Sequence, residues 1–375
     1  MKIGILTFHY AHNCGASLQA FALKEYLKSK GQDVSIVNYR NEKIYNLYPK
    51  RLKVKFIPYD FKHPKELGKK IKLKCDYRYG RREWKQQYKK FDSFIDKFLL
   101  DGNDEPIRKD EIGGLNYDVF VAGSDQIWNS HLTGGLDDVY LLNFDTNAHK
   151  FFYAPSSGSD EINKKELPAF ESVFANKYVS AREPSLAAFL SNQFKRNVPS
   201  VVDPCFLLSA PDYVKMFSLN ASNGLPKKKY LFAYFISERN KRIREMVYVI
   251  ANALNLEIVE FHYRKDRDMN KKYQTGDMGP AEFLKYIYNA DFIVTNSFHG
   301  TVFSIMFNKQ FYSVYEEDAR KENLLKATGL SDRHIKTFSE IDLNKHADFK
   351  DVDLNKFAKS SKDFLDNMVD EYEKR

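Results

Sequence analysis

The chain has 375 residues, 43% of them hydrophobic and 29% charged, which is typical of a soluble globular protein with about two domains. It carries 59 Lys and Arg against 50 Asp and Glu, a formal net charge of +9. The three cysteines, Cys14, Cys75 and Cys205, show no C-x-x-C spacing, which argues against a disulfide framework or a thiolate zinc site. No apolar run is long enough for a signal peptide or a membrane span, so we expect a cytoplasmic protein.

The N-terminal part of the chain alternates between strand-like and helix-like segments. Residues 3–7 are β-rich, a polar loop runs from Phe8 to Gly15, residues 16–30 are a predicted helix and residues 34–39 a second strand. A β-loop-α-β unit of this kind predicts a parallel sheet. Further strands are predicted at 119–122, 151–154, 178–181 and 200–202.

A strongly basic segment follows over residues 50–90, where 16 Lys and Arg stand against four acids, a net charge of +12. Three interpretations are open: a solvated helix face, a surface for anionic lipid headgroups or an anionic substrate, and a nucleic-acid surface. No nucleic-acid motif accompanies the charge, so we expect no nucleic-acid partner. Phe91, Phe94, Ile95 and Phe98 have helical spacing and predict a core-facing helix at the end of this region.

Turn-forming residues cluster at 220–224, where we place a domain boundary. Beyond it we predict strands at 230–235, 257–261, 292–295 and 311–314, with helices at 240–255, 280–289 and 301–307. We therefore expect an N-terminal domain over 1–222, a C-terminal domain over 223–350 and a terminal helix over 351–375. That helix would present Phe357, Phe364, Leu365 and Met368 on one face. The expected class is α/β, with two doubly wound, Rossmann-like domains and a ligand cleft between them.

Loops that follow predicted strands are where ligands bind in such sheets. In the loop over residues 9–16, Asn13 and Gly15 either shape a turn that faces an anion or form an ordinary loop. The loop lacks the glycine pattern of a dinucleotide site. In the loop over residues 123–128, Asp125 either acts as a general base or orients a substrate hydroxyl, or else it is a helix N-cap.

Two further loops carry candidate anion-binding groups. Ser156 and Ser157 form either an anion-binding nest or a polar turn. Arg182 has the planar fork that suits a carboxylate or phosphate, and its alternative is an ion pair with Glu183 or another acid.

The loop over residues 295–301 contains His299 at the predicted entry to a helix, flanked by Asn296, Ser297 and Gly300. Histidine exchanges protons near neutral pH, so His299 is a candidate catalytic residue, although a lone histidine is often structural. No P-loop, nucleophile elbow or metal-binding H-E-x-x-H motif is present. The D-x-D spacings at 266–268 and 351–353 lie in charged stretches, and we expect no metal site.

Together these loops resemble the polysaccharide pyruvyltransferase family over roughly residues 10–335. The matching segments are 13–20 (NCGASLQA), 123–128 (GSDQIW), 180–183 (SARE), 202–204 (VDP) and 290–301, which ends in SFHGT. The resemblance implies a fold like that of GT-B glycosyltransferases. It also implies phosphoenolpyruvate as the donor substrate with no cofactor, and a sugar of a bacterial surface glycan as the acceptor. The product would be a pyruvate ketal on two sugar hydroxyls, commonly O4 and O6. Such acceptors are often lipid-linked at the cytoplasmic face of the membrane, which would suit a peripheral contact through the basic segment.

The resemblance also suggests roles for individual residues. His299 would support protonation of the donor or hold the departing phosphate, and Asp125 would accept or orient the acceptor's hydroxyl proton. Arg182 would pair with the donor anion, helped by the helix that begins near Gly300. Relatives often carry an Arg two positions before the histidine, where this chain has Ser297. Arg320 and Arg333 are candidate substitutes for it, or surface arginines that cap a helix.

Two other functions remain open at this point. One is a GT-B-type glycosyltransferase with a nucleotide-sugar donor, in which Glu316 or Glu317 would bind the ribose. The other is a non-catalytic glycan-assembly protein that binds a glycan or lipid carrier through its basic face.

Overall fold

The computed structural model describes residues 1–48, 56–103, 105–236, 241–261, 274–275, 277–314 and 318–374. The chain divides into two compact units. The first contains residues 1–48, 94–213 and 350–375, and the second contains residues 49–93 and 214–349.

Among the described residues, all strand pairs are parallel in both sheets. The strands are β1 (Lys2–Leu6), β2 (Asp33–Ile36), β3 (Val119–Ala122), β4 (His149–Phe152), β5 (Tyr230–Tyr234), β6 (Glu257–Phe261), β7 (Gln274–Thr275), β8 (Phe292–Thr295), β9 (Phe311–Val314) and β10 (His334–Ile335). The first unit's sheet has the order β2-β1-β3-β4, and the second unit's sheet has the order β10-β9-β8-β5-β6-β7. In each sheet the chain first adds strands on one side of the first strand, β1 or β5, and then continues on its other side. Both sheets are therefore doubly wound.

Helices connect the strands. They are α1 (Cys14–Ser29), α2 (Glu42–Leu47), α3 (Pro58–Lys62), α4 (Pro64–Tyr79), α5 (Arg81–Phe94), α6 (Ser130–Thr133), α7 (Glu171–Phe174), α8 (Pro184–Phe194), α9 (Ala210–Phe217), α10 (Lys241–Ala253), α11 (Pro280–Asn289), α12 (Phe298–Met306), α13 (Ala319–Ala327) and α14 (Leu354–Glu373). A π-helical segment, Ile95–Leu100, continues α5. None of the described helices is long and apolar enough to cross a membrane.

The central strands are apolar along their whole length. Every residue of β3 and of β8 is buried. Continuous burial of this kind is typical of parallel strands that are covered on both faces. This is why the sequence prediction located β3, β8 and β9 with the bounds that the structure has. The predicted bounds of β6 and α11 also match.

Two predicted strands are not formed. Residues 178–181 and 200–202 make only isolated bridges, between Phe152 and Val179 and between Ala181 and Ser200. The backbone of Ala154 has φ 51°, outside the β region, so the neighbouring strand β4 ends before a longer ladder can form. The hydroxyl of Ser180 instead donates to the carbonyl of Phe152 and accepts from the Ala154 N–H.

The terminal helix belongs to the first unit. Leu365 and Met368 of α14 are fully buried, and the ring of Phe364 lies 5.2 Å from that of Phe151. The hydroxyl of Ser361 accepts a hydrogen bond from the Val202 N–H. The predicted terminal helix is therefore present, and Asp353, one of the two D-x-D aspartates near it, is its N-cap.

The described part of the basic segment belongs to the second unit, although we expected it within an N-terminal domain over residues 1–222. The ion pair between Lys90 and Glu282, 3.1 Å long, ties α5 to α11. The prediction assigned residues to domains in chain order, and no feature of the sequence indicated that residues 49–93 belong to the second unit.

The other predicted D-x-D spacing, at Asp266 and Asp268, lies outside the described residues.

Candidate active site

The loop after β1 leads directly into helix α1. The side-chain oxygen of Asn13 accepts from the backbone N–H groups of Gly15 and Ala16, at 2.9 and 3.3 Å. Asn13 is therefore the N-cap, and the helix begins at Cys14, not at residue 16 as predicted. Gly15 is a buried residue of the first helical turn.

The loop after β3 holds Asp125 in an unusual conformation. Its φ is 73°, in the left-handed region that a non-glycine residue rarely adopts. A Cβ atom at the preceding Gly123 would lie 1.9 Å from the carbonyl oxygen of Tyr153, so only glycine fits there. The Asp125 carbonyl accepts from the Ser156 N–H at 2.9 Å, and its carboxylate accepts from the Gln126 N–H at 2.8 Å. Asp125 is half-buried, and the N-cap of the following helix α6 is Asn129, so the N-cap interpretation of Asp125 is wrong.

Ser156 and Ser157 are engaged within the chain. The hydroxyl of Ser156 donates to Glu183 at 2.8 Å and accepts from the Gly158 N–H at 3.0 Å. The hydroxyl of Ser157 donates to the Ser159 carbonyl at 2.8 Å. In this structure these serines form a polar turn, which was one of the two interpretations.

Arg182 is buried in the first unit with two carboxylates. Its guanidinium lies 3.2 Å from Glu183 and 3.2 Å from Asp203. Burial alone would lower the pKa of Arg182, but the charges of Glu183, Asp203 and Asp125 outweigh it and raise the pKa above its usual range. The internal ion pair, one of the two interpretations of Arg182, is thus present.

The loop after β8 is fixed by its own polar side chains. The Asn296 side-chain oxygen accepts from the Ile236 N–H at 3.0 Å, which joins the ends of β8 and β5. The Ser297 hydroxyl accepts from the Gly300 N–H at 3.2 Å and caps α12, which begins at Phe298 rather than at the predicted residue 301. Asn296, Ser297 and Gly300 are all buried, so this loop is a preformed element of the second unit.

His299 lies in the first turn of α12, with its ring centroid 5.1 Å from that of Phe298. The side chain is 9% exposed. The neighbouring Gly300 lets the helix approach the strand, because a Cβ atom there would lie 2.4 Å from the Thr295 hydroxyl. The position of His299 therefore depends on close packing between α12 and β8.

The two candidate substitute arginines have different surroundings. Arg320 makes a two-pronged ion pair with Asp318, with both contacts at 2.9 Å, and its guanidinium lies over the Phe298 ring. Arg333 is 2% exposed and donates to the Lys345 carbonyl and to Asp332. Arg320 is thus the one beside the His299 loop.

Sequence reasoning missed two polar residues at these strand ends. Lys321 is fully buried, and its ammonium donates to the Asn296 carbonyl at 3.1 Å. Tyr48 follows α2, and its ring lies 6.3 Å from that of His12 in the loop after β1. Lys321 lies within α13 and Tyr48 at the end of α2, so no local pattern pointed to their contacts. Glu316 and Glu317, the candidate ribose-binding residues, lie outside the described residues.

Comparison with solved structures defines the fold class. The UDP-GlcNAc 2-epimerase of Methanocaldococcus jannaschii, in complex with UDP-GlcNAc and UDP, is 13% identical, with a TM-score of 0.51 over 98% of this chain and 99% of that one. The E. coli heptosyltransferase WaaC with ADP is 10% identical over 99% of this chain and 100% of that one, with a TM-score of 0.36. The two parallel sheets and the first of these similarities identify two Rossmann-like domains of the GT-B type, as predicted.

Within that fold class the family is also defined. Residues 13–318 match the polysaccharide pyruvyl transferase family, and the chain belongs to it. It is therefore a transferase of polysaccharide pyruvylation, which confirms the resemblance seen in the sequence. The curated proteins include no match to the chain.

Proposed function

We propose that the protein transfers pyruvate from phosphoenolpyruvate to two hydroxyls of a sugar, in a bacterial surface polysaccharide or its lipid-linked precursor. The observation that supports this most is the family match over residues 13–318, which includes both Asp125 and His299. Family membership also favours an enzyme over a non-catalytic glycan-binding protein.

The reaction requires one acid, one base and a site for anions. A proton adds to C3 of phosphoenolpyruvate while one acceptor hydroxyl forms a bond to C2 and loses its proton. The C2–O bond to phosphate then breaks, and phosphate leaves with the electron pair. The second hydroxyl bonds to C2 and loses its proton, which closes the ketal. The two hydroxyl protons balance the one gained by C3 and the one carried by phosphate.

The position of each side chain supports the role proposed for it. Asp125 is half-buried at the end of β3, and its carboxylate would accept the proton of an acceptor hydroxyl. His299, in the first turn of α12, would deliver the proton to C3 or hold the departing phosphate. Arg320 would pair with the donor's anionic groups, because it lies over Phe298, the neighbour of His299. Arg182 would instead keep Glu183 and Asp203 in place through its two ion pairs.

The direct test is to incubate the purified protein with phosphoenolpyruvate and a set of sugars. We expect phosphate release that depends on a sugar, and a pyruvate ketal in the product. His299→Ala should lower turnover by at least about a hundredfold, as the loss of a general acid does. His346→Ala, at an exposed histidine of the same unit, should keep wild-type turnover and serves as the matched control.

Thermal unfolding with ligands tests the donor without an acceptor. A ligand that binds only the folded state at 100 times its dissociation constant stabilises it by about 2.7 kcal/mol. Phosphoenolpyruvate should raise the unfolding temperature, and Arg320→Ala should reduce the rise. Stabilisation by a nucleotide sugar alone would overturn the proposal in favour of glycosyl transfer.

We further propose that α3 and α4 contact the anionic surface of a membrane. Phe61 and Ile71 are 67% and 47% exposed, and exposed lysines lie near them in the sequence, among them Lys62, Lys65 and Lys72. Apolar side chains among cations are the combination that binds anionic lipid surfaces. Such a contact would bring the enzyme to a lipid-linked acceptor.

A further inference from the structure

Asp318 and Arg320 form an ion pair at the start of α13. The Asp318 carboxylate caps this helix by accepting from the Arg320 backbone N–H at 3.1 Å. It also accepts from Nε and from Nη2 of the Arg320 guanidinium, both at 2.9 Å. One aspartate therefore fixes both the first turn of the helix and the direction of the arginine side chain.

Two contacts attach the start of α13 to the loop after β8. The Arg320 guanidinium lies 5.5 Å from the centroid of the Phe298 ring, and that centroid lies 5.1 Å from the centroid of the His299 imidazole. The buried ammonium of Lys321 donates to the Asn296 carbonyl at 3.1 Å. The guanidinium therefore has a defined place near the candidate catalytic histidine, within the second unit.

Asp318 occupies only one edge of the guanidinium. An arginine side chain has five N–H donors, and the contacts through Nε and Nη2 use one donor on each of these atoms. The second hydrogen of Nη2 and the hydrogens of Nη1 form the end-on edge, which can bind another planar anion with two parallel hydrogen bonds. Nη1 has no hydrogen-bond partner among the described residues and is not fully buried, and 21% of the Arg320 side chain is exposed. Arg320 can thus bind a ligand while Asp318 holds it.

The charge of the pair favours a carboxylate as that ligand. Burial alone would raise the pKa of Asp318, but the hydrogen bond and the charge of Arg320 outweigh it and lower this pKa. Asp318 is therefore ionised at neutral pH, and the pair has no net charge. Such a pair offsets the lost hydration of a singly charged carboxylate more readily than that of a phosphate, which carries close to two charges.

We propose that Asp318 is a positioning residue, which holds Arg320 so that the end-on edge of the guanidinium binds the carboxylate of phosphoenolpyruvate. This inference rests on the proposed function and names the donor group that the arginine takes. The carboxylate stays attached to C2 after the phosphate has left. Arg320 therefore keeps this carbon in place through both of the steps in which a hydroxyl bonds to it.

The test measures the binding of phosphoenolpyruvate and of its carboxyl methyl ester, which keeps the phosphate and lacks the carboxylate charge. Asp318→Asn keeps an N-cap for α13 and removes the charge that holds Arg320. Isothermal titration calorimetry should show phosphoenolpyruvate bound about tenfold more weakly, because the arginine loses its fixed rotamer, and the ester bound as by the wild type. Asp353→Asn makes the same change at the N-cap of α14 and should match the wild type with both ligands.

A double variant shows whether Asp318 acts through the arginine. Once Arg320 is replaced by Ala, Asp318→Asn should weaken the binding of phosphoenolpyruvate no further. A further loss as large as that in the single variant would show that Asp318 acts independently of Arg320, and would overturn the inference.

The remaining outcomes separate this inference from the proposed function. Wild-type binding of phosphoenolpyruvate by Asp318→Asn overturns the positioning role and leaves the pyruvyltransferase proposal in place. Equal weakening of phosphoenolpyruvate and its ester overturns the assignment of Arg320 to the carboxylate. Absence of phosphoenolpyruvate binding to the wild type overturns the proposed donor, and this inference with it.

Discussion

The guanidinium of Arg182 lies 3.2 Å from a carboxylate oxygen of Asp203, and the two side chains are 4% and 0% exposed. Glu183 shares the same guanidinium at 3.2 Å. A buried charge is costly unless it is paired, so one cation stabilises two carboxylates in the first unit.

Replacing Arg182 with Met should therefore lower the free energy of unfolding by about 3–5 kcal/mol, because two buried carboxylates lose their partner. Urea denaturation measures this change. Arg108→Met is the control, since the ion pair of Arg108 with Asp110 has side chains 74% and 67% exposed. Exposed pairs contribute at most about 1 kcal/mol. Equal losses in the two variants would contradict the assignment.

His9 should make the stability depend on pH. Burial lowers the pKa of His9 from 6.5 to about 4. Between these values the unfolded chain binds a proton that the folded chain does not, so stability falls as the pH decreases. The free energy of unfolding should drop by about 3 kcal/mol from pH 6.5 to pH 4 on account of this group, and the group should contribute no slope above that range.

The measurement compares urea denaturation of the wild type and His9→Asn across pH 4 to 8. The carboxylates common to both proteins contribute equally, so the difference between the two curves isolates His9. A difference that stays constant with pH would show that folding leaves the pKa of His9 unchanged.

The strand and helix pattern was predictable because it depends on local sequence. The run Val119–Ala122 is apolar throughout and became β3 with the predicted bounds. The left-handed conformation of Ala154 has no such signal, because alanine rarely adopts it, and this residue ends β4.

The same distinction holds for the candidate site. Asn13, Asp125 and His299 lie in or at the end of the connections that follow β1, β3 and β8, so the topology of a parallel sheet indicated where they lie. Tyr48 reaches His12 from the end of α2, and Lys321 reaches Asn296 from α13, through tertiary packing alone. One sequence without its fold contains no information on such contacts.

Gly300→Ala should disturb the second unit. The added methyl would lie 2.4 Å from the Thr295 hydroxyl, so α12 must move away from β8 and carry His299 with it. We expect the free energy of unfolding to fall by about 1–3 kcal/mol, which is the usual cost of overpacking, and the turnover to decrease. Gly68→Ala in α4 is the matched control, because a Cβ there meets nothing within 4 Å. It should stabilise the helix by about 0.5–1 kcal/mol, and destabilisation by both variants would contradict the packing argument.

Replacing Phe61 or Ile71 with Ser should weaken binding to vesicles of phosphatidylcholine and phosphatidylserine. Each apolar side chain loses burial in the lipid, which we expect to lower the partition coefficient about fivefold or more. Met216→Ser removes an apolar side chain that is 41% exposed outside α3 and α4, and should leave binding unchanged. Co-sedimentation measures the binding, and high salt should weaken it because the lysines are screened.

A finding that the protein stays in solution with these vesicles would exclude the lipid contact. Equal weakening by Met216→Ser would show that the contact is not made through α3 and α4.

The first unit contains both early and late parts of the chain, so its fold cannot be completed until the C-terminal residues have been translated. When Tyr213 leaves the ribosome, Leu365 and Met368, which are fully buried in the finished protein, have not yet been translated. Phe151 and Tyr178 lie against Phe364 of α14, so they stay uncovered until the whole second unit has been translated. That apolar face is then the part of the nascent chain most in need of a chaperone.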